Sequence, residues 1–223
     1  SNFEFVGLWS HFARADEPNE NFTKLQLEKF DEVSKLFEEN GLIAQIKHIS
    51  NSAASLNFKS AHKNLIRWGI GMYGLSPDVT QMGDSKKLGL IPAMQVKSKL
   101  QLVKSVAAGA QVGYGGLGKV NQETKIGVVS MGYADGIPRI SSNKAGIFVD
   151  GKRAPLLGRV SMDQFVVDLG INSKAKTGDE VIVFGAGNLG EYTVDEWAAA
   201  AGTINYEIVT RIGVRVPRIY VHE

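Results

Sequence analysis

Leu42-Ile-Ala-Gln-Ile-Lys-His-Ile49, followed by Asn51-Ser-Ala-Ala-Ser55, decides the fold. The first run is apolar and rich enough in isoleucine to be a strand. The second opens with Asn and Ser, whose side chains accept the orphan N–H groups of a helix start. A strand passing into a helix is the unit from which parallel sheets are built. Upstream, residues 22–40 read as a helix: Thr23 with Gln26 has capping-box spacing, Leu27, Phe30, Val33 and Phe37 form a stripe, and Asn40-Gly41 stops it. Residues 3–9 form an earlier apolar run that ends in Ser10-His11-Phe12. Downstream, Leu65–Gly74 is strand-like and carries three glycines. This rhythm predicts a parallel sheet with right-handed crossovers, but only about three units of it, against the eight that close a barrel.

Around Pro77–Lys87 the texture becomes polar, and short β-type runs follow. They are Met94–Val106, Lys125–Met131, Ala145–Val149, Met162–Leu169 and Glu180–Phe184, with turns at Asp150-Gly151, Thr177-Gly-Asp179 and Gly185–Asn188. Thr193–Ala201 is expected to be a short helix and Val214–Val221 a last strand. The chain therefore divides into an α/β part, residues 1–87, and a mostly-β part, residues 88–223.

Composition narrows the function. The 223 residues carry 25 basic and 23 acidic side chains, a net charge of +2, without a basic run long enough to follow a phosphate backbone, so nucleic acid is not expected as a partner. The lack of cysteine removes disulfides, thiolate nucleophiles and Cys-based metal sites, and suits a reducing cytoplasm. No apolar stretch reaches membrane-spanning length and no charged-then-apolar leader opens the chain. Phe5-Val-Gly-Leu-Trp9 starts a strand almost at the first residue, which is expected of a piece of something longer.

Several residues are candidates for chemistry, each with a plainer reading beside it. His11 lies where a strand meets its loop, the end at which parallel α/β sheets build sites, and equally suits a satisfied polar strand end. Asn51-Ser52 precedes a helix start that favours anions such as phosphate, or is simply an N-cap. Arg67-Trp-Gly-Ile-Gly-Met-Tyr-Gly74 allows close backbone approach to a ligand, or packs as a tight turn. Tyr114, between glycines, exposes a phenol that needs a charged partner to act as a base near neutrality, and is otherwise a surface tyrosine. Gly132-Tyr-Ala-Asp-Gly136 and Gly158-Arg-Val-Ser-Met-Asp163 are ambiguous taken singly.

Taken together and in order, these stretches resemble the alanine racemases. The matching segments are Ser10-His-Phe-Ala13 with Ala15-Asp-Glu17, Asn51-Ser-Ala-Ala54, Arg67–Gly74, Val112-Gly-Tyr-Gly115, Gly132–Gly136, Gly158–Gln164, Thr203-Ile-Asn-Tyr-Glu207 and Arg215-Val-Pro-Arg218. The resemblance implies a partial (β/α)8 barrel, last strands only, followed by a mostly-β C-terminal domain. It implies an isomerase that interconverts L- and D-alanine with pyridoxal 5'-phosphate, supplying D-alanine for peptidoglycan in the bacterial cytoplasm.

On that resemblance, the cofactor phosphate is held by the Ser52 hydroxyl, by N–H groups around Gly69 and Ile70, and by the Tyr206 hydroxyl. Arg67 faces the pyridine nitrogen and keeps it unprotonated, which favours racemisation over decarboxylation. Tyr114 is the base for the L-face, supported by His11, which also lies against the cofactor. Met162 and Asp163 meet the substrate, and Tyr133 lines its entrance. No metal is implied. The family's active form is a head-to-tail homodimer in which one subunit lends Tyr114, Met162 and Asp163 to the other's barrel mouth. The opposing base is a lysine that also joins the cofactor as an aldimine, in a Lys-Ala-Asn-Ala-Tyr-Gly-like segment that these 223 residues do not contain. The chain alone is therefore expected to be inactive. A racemase of another amino acid such as serine, and a non-catalytic β-rich interaction module, are the alternatives.

Overall fold

The structure, a computed structural model, describes residues 3–17 and 21–221. The chain forms two compact units, Ser1–Pro92 and Ala93–Glu223.

In the first unit, β1 (Gly7–Trp9), α1 (Asn21–Glu39), β2 (Ile46–His48) and α2 (Ser52–Asn57) follow in order. β1 and β2 pair in parallel, with Gly7 opposite Ile46 and Trp9 opposite His48. Both strands are shorter than the apolar runs at 3–9 and 42–49, because only residues facing a partner join a ladder. The run 65–74 forms no strand. Its Arg67 N–H reaches the Ser50 carbonyl at 2.9 Å, and a 3-10 turn over Ile70–Tyr73 then ends the extension. Gly74 closes that turn at φ +72°, where a Cβ would lie 1.7 Å from the Ile91 carbonyl oxygen, so the bend requires glycine. A short α3 (Val79–Met82), capped by the Asp78 carboxylate on the Thr80 and Gln81 N–H groups, lies in the polar connector.

The helix α1 corrects two expectations. It starts at Asn21, so Thr23 lies inside the first turn and the Thr23–Gln26 capping box does not form. The Thr23 hydroxyl instead donates to the Arg14 carbonyl at 3.0 Å, while the Gln26 amide accepts from the Ala13 N–H at 2.9 Å and donates to the His11 carbonyl at 3.3 Å. Both side chains thus tie the helix to the loop that carries His11. The buried stripe runs through Thr23, Leu27, Phe30, Ser34 and Phe37, so Val33 is 41% exposed and Ser34 only 7%. Steps of four, three, four and three stay on one helical face, whereas Val33 falls about 100° from Ser34. Gly41, at φ +78°, ends the helix as expected, with the Leu42 N–H on the Phe37 carbonyl. Phe12, Phe30, Ile49, Ala53 and Ala54 form the core beneath it.

The second unit is built on antiparallel strands: β3 (Val96–Val106), β4 (Gln111–Val112), β5 (Gly118–Lys119), β6 (Thr124–Val129), β7 (Gly146–Val149), β8 (Lys152–Pro155), β9 (Phe165–Asp168) and β10 (Glu180–Phe184). Six of them form one sheet in the order β8-β7-β10-β3-β6-β9, and β4 pairs with β5. Just past β8, Leu156 bridges to Val167 on β9, and the Leu157 N–H reaches the Val166 carbonyl at 2.8 Å. The two outer strands therefore meet and the sheet nearly closes on itself. Bulges on β3 and β10 supply the bend that closure needs. The interior holds Ile147, Phe165, Val167, Val181 and Trp197, and the Trp197 indole N–H is satisfied by the Val183 carbonyl at 2.8 Å.

α4 (Val194–Ala201) begins at Thr193 with a reciprocal Thr193–Glu196 box, while α5 (Asn205–Arg211) is a helix that the sequence reading did not anticipate. Nor did it anticipate β8, where only Ala154 of Lys-Arg-Ala-Pro is buried. The expected strand at 214–221 is absent. There the Arg218 guanidinium gathers the carbonyls of Ile212, Gly213 and Val216, which curls the chain instead of extending it.

Candidate functional site

Arg67 is the hub of the first unit. Its Nη1 donates to His48 Nδ1 at 2.7 Å, and its Nη2 to the Ser10 carbonyl at 2.8 Å and to His11 Nδ1 at 3.1 Å. Its guanidinium carbon stands 5.4 Å from the centre of the Trp9 ring, and Trp9 stacks on His48. Burial pulls Arg67 below its ordinary pKa, and burial together with the Arg67 cation holds His48 below the usual imidazole value. Because a guanidinium only donates, both histidines accept through Nδ1 and carry their proton on Nε2. His11 Nε2 lies 3.4 Å from Asn51 Nδ2, and Asn51 is oriented by its Oδ1 accepting the Ala54 N–H at 2.9 Å. That approach brings two donors together and is a contact, not a bond. The His11 Nε2–H is therefore set up for an acceptor of another kind.

Ser52 lies at the start of α2 and is 2% exposed. Its Oγ accepts the Gly69 N–H at 2.9 Å and the Gly71 N–H at 3.2 Å, joining β2's end to the bend after residue 67. With both lone pairs engaged, the hydroxyl has only its proton left to offer. The N–H of Ile70 heads the 3-10 turn, where first-turn N–H groups have no acceptor within the helix. The Gly69 N–H, by contrast, is turned to Ser52. A serine proton and an amide proton at one bend are donors suited to an anion. Among the described residues, no group of three or more His, Asp or Glu side chains could hold a metal ion.

In the second unit, Tyr114 opens a turn between Gly113 (φ +77°) and Gly115 (φ +69°) and is 70% exposed. A Cβ on Gly113 would stand 3.0 Å from the Arg159 nitrogen, so the Tyr114 loop lies directly on the Gly158–Arg159 backbone. The loop 132–136 joins the same face: Tyr133 and Ala134 donate their N–H groups to the Ser161 and Met162 carbonyls at 3.0 and 2.9 Å. Tyr133 and Met162 are both exposed there. Arg215 pairs with Asp135 at 2.6 Å and with Asp163. Burial alone would raise Asp135, but the Arg215 guanidinium and the Gly132 N–H outweigh it and hold the carboxyl below its usual range. Tyr206 lies on α5, in its first turn.

The structure thus brings His11, Ser52, Arg67, Gly69 and Ile70 together within one unit, and Tyr114, Tyr133, Met162 and Asp163 onto adjoining loops of the other. Sequence reasoning missed His48, Trp9 and Asp135, and did not foresee that Arg215 pairs with Asp135 and Asp163. His48 ends β2 much as His11 follows β1, and that repeat was the available signal.

The first unit thus ends its parallel strands in a pair of donors suited to an anion beside an arginine–histidine cluster, and the chain continues into a nearly closed antiparallel β unit. The models of the alanine racemase N-terminal domain and C-terminal domain match residues 1–77 and 93–220. An alanine racemase of Streptomyces coelicolor is 49% identical over 218 residues, covering 98% of this chain and 55% of that protein. One from Frankia casuarinae is 45% identical, over 98% of this chain and 56% of its own length. The solved alanine racemase of Streptomyces coelicolor superposes with a TM-score of 0.95, covering 99% of this chain and 57% of that one. The chain belongs to the alanine racemase family, and it spans little more than half the length of the relatives it matches.

Proposed function

We propose that this chain is part of an alanine racemase that uses pyridoxal 5'-phosphate to interconvert L- and D-alanine. The observation that carries the reading is the Ser52 hydroxyl, both lone pairs taken by Gly69 and Gly71, beside the Arg67–His11–His48 cluster. Those donors fit the cofactor: Ser52 O–H and Ile70 N–H suit its phosphate, and Arg67 suits an unprotonated pyridine nitrogen. When bound, pyridoxal phosphate supplies the electron sink that makes an amino acid's Cα–H acidic.

The chain's own residues then divide the remaining work. Tyr114 takes or returns the proton on the L-face of Cα. His11, held through Nδ1 by Arg67, offers its Nε2–H to the phenolic oxygen and so stabilises the phenolate. The Met162 backbone and Asp163 meet the substrate and Tyr133 lines its approach. A homodimer in which a second copy lends the Tyr114 loop, and residence in the cytoplasm, complete the proposal. No described helix is long and apolar enough to cross a membrane.

The test is racemisation of L-alanine by the full-length protein carrying this chain, supplied with pyridoxal phosphate. Turnover is expected, and Tyr114→Phe is expected to cut it by roughly 10²–10⁴-fold, the usual range for losing a positioned acid or base. A folded, cofactor-loaded protein without turnover overturns the reading. Residues 1–223 alone are expected to show none.

A further inference from the structure

We propose that Arg215 is a positioning residue: its guanidinium locks the loop bearing Tyr133 to the loop bearing Met162 and Asp163, and so sets the wall that meets the substrate. This rests on the function proposed above. Nε of Arg215 donates to Asp135 Oδ1 at 2.6 Å, while Nη2 turns to Asp163 on the other loop. Asp135 is more than an exposed partner. Its side chain is 12% exposed, its Oδ2 accepts the Gly132 N–H at 2.8 Å, and its carbonyl accepts the Gly213 N–H at 3.0 Å.

The three segments involved are already in backbone contact. A Cβ on Gly132 would lie 2.3 Å from the Met162 carbonyl oxygen, and one on Gly136 would lie 2.3 Å from the Arg211 carbonyl oxygen. Arg218 curls the chain at 212–216 and thereby aims Arg215 at both acids. An isolated surface ion pair would count for little. Here, removing the guanidinium leaves a mostly buried carboxylate with a lone N–H partner, and two unneutralised acids on adjoining loops. The bonds that would open are those from the Tyr133 and Ala134 N–H groups to the Ser161 and Met162 carbonyls. Arginine suits the position because its planar fork addresses two carboxylates at once, which an ammonium cannot do with fixed geometry.

The experiment compares the full-length protein carrying this chain with its Arg215→Gln and Arg215→Lys variants, reading amide exchange at Tyr133 and Ala134 alongside KM and kcat for alanine. Arg215→Gln is expected to speed both amides and raise KM by about tenfold or more, with kcat changed by less than about threefold, the signature of weakened substrate binding at a displaced wall. Arg215→Lys is expected to recover part of both effects. Unchanged exchange, or a fall in kcat with KM unmoved, overturns the proposal. Should Arg215→Gln fail to fold, the lysine variant decides alone: wild-type exchange and KM overturn the proposal, and intermediate values support it. If the unsubstituted protein lacks turnover while exchange responds to Arg215, the functional reading falls and takes the positioning role with it. Normal turnover with unresponsive amides removes only the Arg215 role.

Discussion

Arg67 donates to His48 Nδ1 at 2.7 Å, and this bond fixes which nitrogen of His48 carries its proton. It also sets a pH dependence. Burial and the adjacent cation lower His48 from the ordinary 6.5, so the unfolded chain takes up a proton first as pH falls. The His48 contribution is therefore fully present above pH 6.5 and is lost as pH drops from there toward the lower folded value. We expect a His48 titration midpoint below 6.5 by NMR, moving upward in Arg67→Gln. A midpoint at or above the ordinary value in the unsubstituted protein would contradict the geometry.

Ser52→Ala removes the acceptor shared by the Gly69 and Gly71 N–H groups. Leaving buried donors unpaired costs about 1–3 kcal/mol, so denaturant unfolding should show a loss of that size. Affinity for pyridoxal phosphate in the full-length protein should fall as well. Unaltered stability would mean that water replaces the hydroxyl.

Gly132→Ala should destabilise the second unit, since the new Cβ meets the Met162 and Ser161 carbonyl oxygens at 2.3 and 2.4 Å. Both obstacles are backbone and cannot rotate aside. A penalty of about 1–3 kcal/mol or more is expected in thermal or denaturant unfolding. A neutral result would show that the two loops separate easily.

Glu191 is 2% exposed, and its carboxylate accepts the Gly187 and Leu189 N–H groups at 2.9 and 2.8 Å. Burial would raise it, but the surrounding N–H groups prevail and hold it below 4.5. Its contribution is present above 4.5 and is lost as pH falls through the lower folded value. Glu191→Gln, which sets an amide among donors, should cost about 1–3 kcal/mol at neutral pH and flatten the acid limb of the stability curve. An acid limb identical to that of the unsubstituted protein would refute this.

The elements legible in the sequence were those governed by neighbours in the chain. Thr193 and Glu196 cap α4 across three residues, and Gly41 ends α1 by turning the Leu42 N–H back to the Phe37 carbonyl, five residues away. Thr23 and Gln26 misled because their spacing satisfies a local rule, while the loop after β1 offered them better partners. The run 65–74 had a strand's composition but faced no strand along its length. The curl at 212–218 was hidden because a guanidinium two to six residues ahead competes for carbonyls that an extended chain would give to a ladder.

By itself, the sequence determined that an α/β part precedes a mostly-β part, and its ordered segments, from Ser10-His11 to Arg215–Arg218, carried the resemblance to the alanine racemases. Only the tertiary structure decided that Arg67 joins His48 and His11, 19 and 56 residues away, and that Arg215 reaches Asp135 across 80. The reason is physical: capping and turn rules act over a few residues, whereas a charged donor chooses among whatever acceptors the strand pairing and the close-packed glycine turns bring within about 3 Å of it.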